Sequence, residues 1–359
     1  MKRRIFMRLA SIAAFAGYPW VASARQRLDN DASVAPLLDT LPDRSEEVNV
    51  VHSQPSPWSI CVIGVGSGGC NILDKMILRG IHGVEFVAVD TDGIALARSR
   101  AGTRIRLGMT RESSAVVSDQ GREAVDDARD QIAGTLKDAD MVFIVTGEGG
   151  NTGASSAPVI AEFSRSLGIL TLAVAIKPFS YEGMIRQRKA QRGLAELQKQ
   201  VDSLFVFDND KLTAILGEDA VVSDALCAAD AVLHNSVRAI TDMITIEGPI
   251  GVDFEDIRTV LSQSGRTSIG LGSAGGNDRA RLATQYALRS LFLSRVNLAK
   301  TPGLLVNITS SKRVKMKEIG QVMDTMRLNT SDDAHIVFGS IYDDEMGDEM
   351  RVTIVARGA

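Results

Sequence analysis

Ser59–Asn71 has the sequence SICVIGVGSGGCN and places a short apolar run directly before a cluster of glycines. The apolar run, Ser59–Ile63, is typical of a buried parallel β-strand. Apolar residues at helical spacing follow the glycines. Glycine lets the backbone approach a phosphate closely, and the free N–H groups at the start of a helix face the anion. The segment therefore predicts a strand, a phosphate-binding turn and a helix.

Other interpretations of this segment are open at this point. Gly64, Gly66 and Gly69 satisfy the spacing G-x-G-x-x-G, and a second apolar run, Val84–Asp90, ends in an acid. That acid lies at about the distance at which a dinucleotide-binding protein holds its ribose. These residues alone would fit a dinucleotide-dependent dehydrogenase. A tight turn without a ligand is the plain structural alternative.

A second turn of small residues separates these alternatives. Ala139–Val145 is another apolar run, and it leads into Thr146–Pro158, TGEGGNTGASSAP. A dinucleotide fold does not need this second turn, whereas two such turns can enclose the charged phosphates of a nucleoside triphosphate. The chain has no G-x-x-x-x-G-K-[ST] segment, so it is not a P-loop protein.

From about Ile60 to Ala359, the chain resembles the FtsZ branch of the tubulin superfamily. The resemblance is carried by six motifs in order: the two glycine turns, Lys177–Gly183 (KPFSYEG), Asn209–Leu212 (NDKL), Val252–Asp256 (VDFED) and Asp348–Thr353 (DEMRVT). It implies a protein that binds GTP in one subunit and hydrolyses it with a loop of the next subunit in a filament. GTP or GDP, with Mg²⁺, is the expected cofactor.

The resemblance also implies which residues bind the nucleotide. Glu182 is similar to the family's ribose ligand, and Arg186 to its neighbour at the sugar and phosphate edge. Asn209 and Asp230 are similar to the residues that bind guanine, and a carboxylate can accept from both N1–H and the 2-amino group. Without the family, Asp230 would be interpreted as a solvated helix residue. The implied phosphate-turn residues are Ser67, Gly68, Gly69, Cys70 and Asn71 in the first turn and Gly149, Gly150, Asn151, Thr152 and Gly153 in the second.

Asp253 and Asp256 are the expected catalytic residues. In the family, matching acids contact the nucleotide of the neighbouring subunit and position water for attack on the γ-phosphate. Phosphoryl transfer depends mainly on placement and charge stabilisation, and two acids can orient a water and a hydrated Mg²⁺. Without the resemblance, acids at this spacing would be interpreted as capping a helix.

Several positions depart from the family pattern. The second turn usually contains GGGTGTG, whereas here Asn151 and Ser155 replace two glycines; if either position requires a positive φ, Asn tolerates it better than Ser. The loop Met109–Asp119 is shorter and carries acids, although the family's loop there senses the γ-phosphate. Leu226 replaces the phenylalanine that stacks on guanine, and Gly251 replaces an asparagine of the catalytic loop. These changes cast doubt on turnover.

The coarse pattern predicts an α/β fold. Strands are expected at 60–64, 84–90, 104–107, 141–146, 170–176 and 203–207, in a doubly wound, mostly parallel sheet with the ligand at the carboxyl ends of the strands. A long buried helix is expected at 219–246, followed by a smaller α+β domain with strands at 304–309, 335–341 and 351–356 and helices at 255–263, 278–293 and 315–328. The expected boundaries are an arm at 1–57, a GTP-binding domain at 58–220, the central helix at 221–246 and a C-terminal domain at 247–359.

The amino-terminal arm differs in composition from the rest. It begins with basic residues, continues through the apolar stretch Leu9–Ala24 and ends Ala22-Ser23-Ala24, which is the pattern of a secretory signal. A membrane-surface helix, a start-site artefact and a disordered arm are the alternatives. Because GTP is a cytoplasmic nucleotide, we expect the chain to stay in the cytoplasm. The family's tether-binding tail peptide is not found before Ala359, so any membrane link is expected to be indirect or through the arm.

Composition excludes several other classes of function. The chain has 359 residues, of which 45% are hydrophobic and 23% charged, with a net charge of −4. This balance argues against a nucleic-acid partner, which needs many phosphate-neutralising cations. Three cysteines and four histidines are too few and too scattered for a metal site or disulfide framework. We expect a head-to-tail homopolymer acting in septum formation, with another FtsZ as a second partner; a degenerate nucleotide-binding filament protein or modulator is the alternative.

Overall fold

The computed structural model describes residues 57–108, 117–211, 222–246, 248–262, 265–290 and 296–358. The predicted arm, apart from its last residue, and most of the altered loop at 109–119 lie outside the described residues. Within the described ranges, no helix is long and apolar enough to cross a membrane.

Ten strands in the described part of the chain form one sheet. They are β1 (Ile60–Val65), β2 (Val84–Asp90), β3 (Thr103–Arg106), β4 (Met141–Gly147), β5 (Leu170–Lys177), β6 (Ser203–Asp208), β7 (Gly265–Gly275), β8 (Gly303–Ser310), β9 (His335–Tyr342) and β10 (Glu349–Arg357). Their order across the sheet is β3-β2-β1-β4-β5-β6-β7-β10-β8-β9. All neighbours from β3 to β7 are parallel, as are β8 and β9, whereas β10 is antiparallel to both β7 and β8.

Helices cover both faces of the parallel half, and this explains why its strands are apolar throughout. In β1, Ile60 and Val62 face one hydrophobic cluster while Cys61, Ile63 and Val65 face the other. The helices are α1 (Gly66–Arg79), α2 (Gly93–Arg98), α3 (Val117–Asp126), α4 (Arg129–Leu136), α5 (Asn151–Ser166), α6 (Met184–Gln200), α7 (Val222–Thr245), α8 (Phe254–Leu261), α9 (Arg279–Leu288) and α10 (Met316–Arg327). Helices α1, α7 and α8 pack on one face, α3 to α6 on the opposite face, and α9 and α10 on the carboxyl-terminal strands.

The fold class predicted from the sequence is confirmed. The sheet is doubly wound and mostly parallel, α7 is the long central helix, and the smaller α+β part follows it. Each predicted strand is present within one or two residues of its expected ends, and so is each predicted helix over the residues that are described. The domain boundaries stay a prediction, because β6 pairs directly with β7 and the sheet runs through both parts.

Strand β7 was not predicted from the sequence. Its sequence, GRTSIGLGSAG, is rich in glycine and serine, which are poor strand formers and hide the alternation of a half-buried strand. The structure gives a reason for one of these glycines. A side chain at Gly272 would overlap the carbonyl oxygen of Ala283 and come within 2.5 Å of the Ala287 nitrogen. The weak strand pattern therefore follows from the close approach of α9 to the sheet.

Candidate functional site

The first glycine turn joins the carboxyl end of β1 to the start of α1. Gly66 is the first residue of the helix and has φ +70°, a conformation that favours glycine. The first free N–H groups of α1 belong to Gly66, Ser67, Gly68 and Gly69, and no acidic side chain lies in the first turn. The helix start therefore presents N–H donors and the positive end of its dipole at the edge of the sheet.

The two glycine turns lie against each other. A side chain at Gly66 would come within 2.9 Å of the Gly153 nitrogen, and one at Gly68 would lie 3.4 Å from the Gly147 Cα. The second turn leaves β4 and enters α5, whose first turn also lacks an acidic residue. The starts of α1 and α5 therefore meet at one edge of the sheet, as the two motifs predicted.

Polar side chains at the end of β2 extend this edge. Asp90 is 1% exposed, accepts a hydrogen bond from the Ser67 hydroxyl at 2.7 Å and accepts another from the Thr91 N–H at 2.7 Å. The Thr91 and Thr152 hydroxyls are 3.0 Å apart and connect this strand end to the second turn. The first turn thus encloses Asp90. This is the acid that would hold the ribose if the chain were a dinucleotide-dependent dehydrogenase.

Among the predicted first-turn residues, Cys70 contributes through packing. Its thiol is buried and donates towards the Gly64 carbonyl oxygen at 3.4 Å. Burial and the nearby Asp90 raise the pKa of Cys70 to about 12. The thiol is therefore neutral and buried against the Gly64 and Val89 carbonyl oxygens, so only the backbone of Cys70 is available to a ligand.

Glu148, inside the second turn, is a buried carboxyl that was not predicted to be a site residue. It has no exposed surface, and neither carboxyl oxygen makes a hydrogen bond within the described residues. Its carboxyl group packs on Gly193 of α6, where a side chain would overlap it. Burial raises the pKa of Glu148 to about 8, and the neighbouring Thr146 hydroxyl, outside hydrogen-bonding geometry, opposes this rise only weakly. The group is therefore largely neutral at pH 7.

Charged side chains of α6 line the second turn. Arg186 pairs with Glu182 at 2.5 Å, and its Cδ lies 3.8 Å from the position of a Gly149 side chain. Glu182 also accepts a hydrogen bond from the Phe179 N–H at 2.8 Å. One turn further along α6, the Lys189 ammonium donates to the Asn151 side-chain oxygen at 2.6 Å. Two cations of one helix thus flank the predicted phosphate and sugar edge.

The two predicted guanine-binding residues are both buried, one after β6 and the other on α7. Asn209 follows the carboxyl end of β6, is 8% exposed, and has a side-chain oxygen with no hydrogen-bond partner in the described part of the chain. Asp230 is 7% exposed, lies on α7 and pairs with Lys75 of α1. Leu226, one turn earlier on α7, is exposed and can offer apolar contact to a base.

The predicted catalytic acids lie at the opposite edge of the sheet. Asp253 caps α8 by accepting from the Glu255 N–H at 3.1 Å, and Asp256 is exposed in the first turn of that helix. Helix α8 packs at the amino ends of the strands at both of its own ends. Phe254, next to Asp253, stacks at 4.5 Å on Trp58, which precedes β1, and the Ser203 hydroxyl at the start of β6 donates to the Leu261 carbonyl oxygen at 2.8 Å. The glycine turns follow the carboxyl ends. Asp253 and Asp256 are therefore not brought together with the other site residues of the same chain.

The replaced glycines of the second turn do not strain the backbone. Asn151 and Ser155 both lie within α5, and no residue other than glycine has a positive φ in the described part of the chain. Neither position therefore needs the conformation that glycine provides. Asn151 instead offers its side chain to Lys189.

The residues present suit Mg²⁺ only when a nucleotide supplies further ligands. The described residues contain no group of three or more His, Cys, Asp or Glu side chains able to hold a metal ion. Mg²⁺ is commonly bound through substrate phosphates with one or two protein oxygens. The Thr91 and Thr152 hydroxyls at the junction of the turns are suitable donors of that kind.

Comparisons with known proteins agree with this geometry. Residues 59–217 match the model of the Tubulin/FtsZ family, GTPase domain, and residues 265–359 match the FtsZ family, C-terminal domain. The chain is 43% identical over 302 residues to the cell division protein FtsZ of Buchnera aphidicola subsp. Baizongia pistaciae, covering 83% of this chain and 78% of the relative. It is also 43% identical over 316 residues to that of Neisseria meningitidis serogroup A, covering 86% and 80%.

Solved structures give the same result. An FtsZ dimer from M. jannaschii superposes with a TM-score of 0.77 at 34% identity, covering 84% of this chain and 89% of that one. A GTPgS-bound protofilament of CetZ2 from Haloferax volcanii gives 0.69 at 18% identity, covering 84% and 93%, and supports the fold alone.

The fold and the paired turns define a member of the tubulin superfamily with a guanine-nucleotide-binding GTPase domain. Within that superfamily, the chain belongs to the FtsZ family. The resemblance identified from the motifs is thereby confirmed.

Proposed function

We propose that this chain is a GTP-hydrolysing, self-assembling protein of cell division. One subunit would bind GTP at the two glycine turns, with Glu182 and Arg186 at the ribose and Asn209 and Asp230 at guanine. The neighbouring subunit would complete the site with its own Asp253 and Asp256.

The observation that carries this proposal is the separation of the two halves of the site. Asp230 lies near the start of α7, and the loop that carries Asp253 follows the end of α7 at Thr245. At about 1.5 Å per residue, the helix separates them by more than about 20 Å. Because α8 also packs at the amino ends of the strands, the acids of one chain cannot reach that chain's own nucleotide. A second copy stacked head to tail would bring them to it, and such heterologous contacts extend into filaments.

The chemistry of the two edges suits phosphoryl transfer to water. The helix starts, Arg186 and Lys189 would stabilise phosphate charge. Asp253 uses one carboxylate oxygen to cap α8, so its other oxygen is available to orient a water molecule. Mg²⁺, held by the phosphates with the Thr91 and Thr152 hydroxyls, would supply charge neutralisation.

We place the protein in the cytoplasm at the division site. The curated relatives are named cell division proteins, which supports this location. The main partner would be a second copy of the same chain, with another FtsZ as a second polymer partner and no nucleic acid. Contact with the membrane would be indirect or through the amino-terminal arm.

Two variants of Asp253 test the catalytic assignment. Asn caps a helix as well as Asp does, whereas Ala does not. Asp253→Asn should therefore keep the stability of α8 and still lose GTP turnover, and Asp253→Ala should lose turnover together with about 0.5–2 kcal/mol of stability. Phosphate release that persists in Asp253→Asn at the wild-type rate would exclude this role.

Mixing experiments test whether the site forms between subunits. Gly66→Ala strains the first turn and should abolish nucleotide binding, while Asp253→Asn should bind nucleotide without hydrolysing it. When the two variants are mixed, Asp253→Asn subunits supply the nucleotide and Gly66→Ala subunits supply the acids, so turnover should partly recover. A mixture that stays as inactive as either variant alone would contradict a shared site.

A filament protein or modulator with little turnover is the second candidate function. The Asp90 carboxyl lies at the first glycine turn, and the loop Met109–Asp119 carries two further acids. Negative charge there opposes phosphate binding. Assembly with GTP in a sedimentation assay, without phosphate release that rises with protein concentration, would favour this candidate.

A further inference from the structure

Lys75 connects the helix of the first glycine turn to the central helix. Its ammonium group donates a hydrogen bond to the Asp230 carboxylate and forms an ion pair with it. The Asp230 side chain is 9% exposed and the Lys75 side chain is 44% exposed. A mostly buried carboxylate therefore has one named cationic partner, which enters from the solvent side.

The position of Lys75 on α1 gives this contact its meaning. Helix α1 begins at Gly66, where its N–H groups face the predicted phosphate site. Nine residues later, at about 1.5 Å per residue, Lys75 lies roughly 14 Å further along the same axis. One helix therefore touches both the phosphate end and the base end of the proposed pocket.

We propose that Lys75 is a specificity-determining positioning residue that orients the Asp230 carboxylate for guanine. This inference rests on the proposed function, in which Asp230 binds the base. An ionised carboxylate has about four acceptor positions, so one contact from Lys75 leaves acceptors for the N1–H and 2-amino groups of guanine. Holding the carboxylate in one orientation lets both donors bind at once, and the ammonium charge offsets the cost of burying the carboxylate.

A purely structural link between α1 and α7 would have different consequences. Loss of such a link would weaken the binding of every nucleotide equally, whereas loss of carboxylate orientation weakens recognition of the 2-amino group most. Inosine triphosphate lacks that amino group and keeps N1–H. The ratio of GTP affinity to inosine triphosphate affinity therefore separates the two roles.

The experiment measures both affinities for the full chain and four variants. Lys75→Ala should lower GTP affinity about tenfold or more, and it should lower inosine triphosphate affinity less, so that the ratio falls. Lys75→Arg keeps a cation and should retain most of the ratio. Lys199→Ala is the matched control, because Lys199 pairs with Glu196 at the far end of α6. Urea unfolding of each variant checks that the fold is kept.

Asp230→Asn distinguishes this inference from the proposed function. If Asp230→Asn leaves the GTP preference unchanged, the guanine-binding role of Asp230 is wrong and both ideas fail. If Asp230→Asn abolishes the preference and Lys75→Ala keeps the wild-type ratio, the base-binding role stands and the role of Lys75 is overturned. A reduced ratio in both variants, with Lys75→Arg close to wild type, supports the inference.

Discussion

The Lys189 ammonium nitrogen lies 2.6 Å from the side-chain oxygen of Asn151, the first residue of α5. This contact places a cation beside the second glycine turn, which is the predicted phosphate site. Asn151 therefore brings the positive charge of Lys189 to the start of α5.

Lys189→Ala should weaken GTP binding about two- to tenfold, because the lysine is partly exposed and its charge is screened by solvent. The loss should shrink as ionic strength rises, since screening shortens the reach of the charge. Nucleotide titrations at low and high salt measure both effects. Lys199→Ala on the same helix is the control, and equal losses in the two variants would contradict a local role.

Glu148 should make the free energy of unfolding depend on pH. Its pKa is about 8 in the folded chain against 4.5 for an ordinary glutamate, so the folded state holds the proton over a range in which the unfolded state has lost it. The contribution of Glu148 to the free energy of unfolding is then largest below about pH 4.5. It falls as pH rises towards 8, by up to about 1.4 kcal/mol per pH unit. Glu148→Gln removes this titration, so its stability relative to wild type should rise with pH.

Urea unfolding between about pH 5 and 8 measures this difference. Burial lowers the pKa of His234 to about 3, so His234 contributes the opposite slope below its ordinary pKa of 6.5. Both proteins contain His234, and its contribution cancels when they are compared. Parallel stability curves for wild type and Glu148→Gln would show that Glu148 does not titrate in this window.

Gly272→Ala should destabilise the carboxyl-terminal part by about 1–3 kcal/mol, since the added carbon would overlap the backbone of α9. Gly320→Ala is its counterpart, because Gly320 lies within α10 with open space around it. That second change should stabilise by about 0.5–1 kcal/mol through helix propensity. Chemical unfolding of both variants tests the pair, and a neutral Gly272→Ala would argue against the close contact between β7 and α9.

Local sequence patterns predicted most of the fold because they encode local structure. The run Met141–Val145 is apolar on both faces, as a strand between two helical layers must be. The small residues that follow it predict the turn. Strand β7 was not predicted, because Gly272 is required by the close contact with helix α9 and does not favour a strand. The motif resemblance likewise supplied the candidate phosphate, ribose and base residues.

The missed parts of the site depend on contacts between distant segments. Lys75 and Asp230 are 155 positions apart, and only the packing of α1 against α7 brings them together. The signal for Glu148 was present, since an acid interrupts a turn of small residues, but its burial depends on Gly193 of another helix. Neither contact follows from periodicity or spacing.

The placement of the glycine turns and of Asp253 at opposite edges of the sheet has an arithmetic consequence for any stack of these molecules. If each complete centre needs two neighbours, a row of n molecules contains n − 1 of them. The nucleotide at one terminus then has no neighbouring molecule to supply Asp253 and Asp256, and it persists until another molecule binds there. The two ends of the row are therefore chemically unequal. Each added molecule supplies acids to the nucleotide that it covers, and hydrolysis of that nucleotide can begin only then.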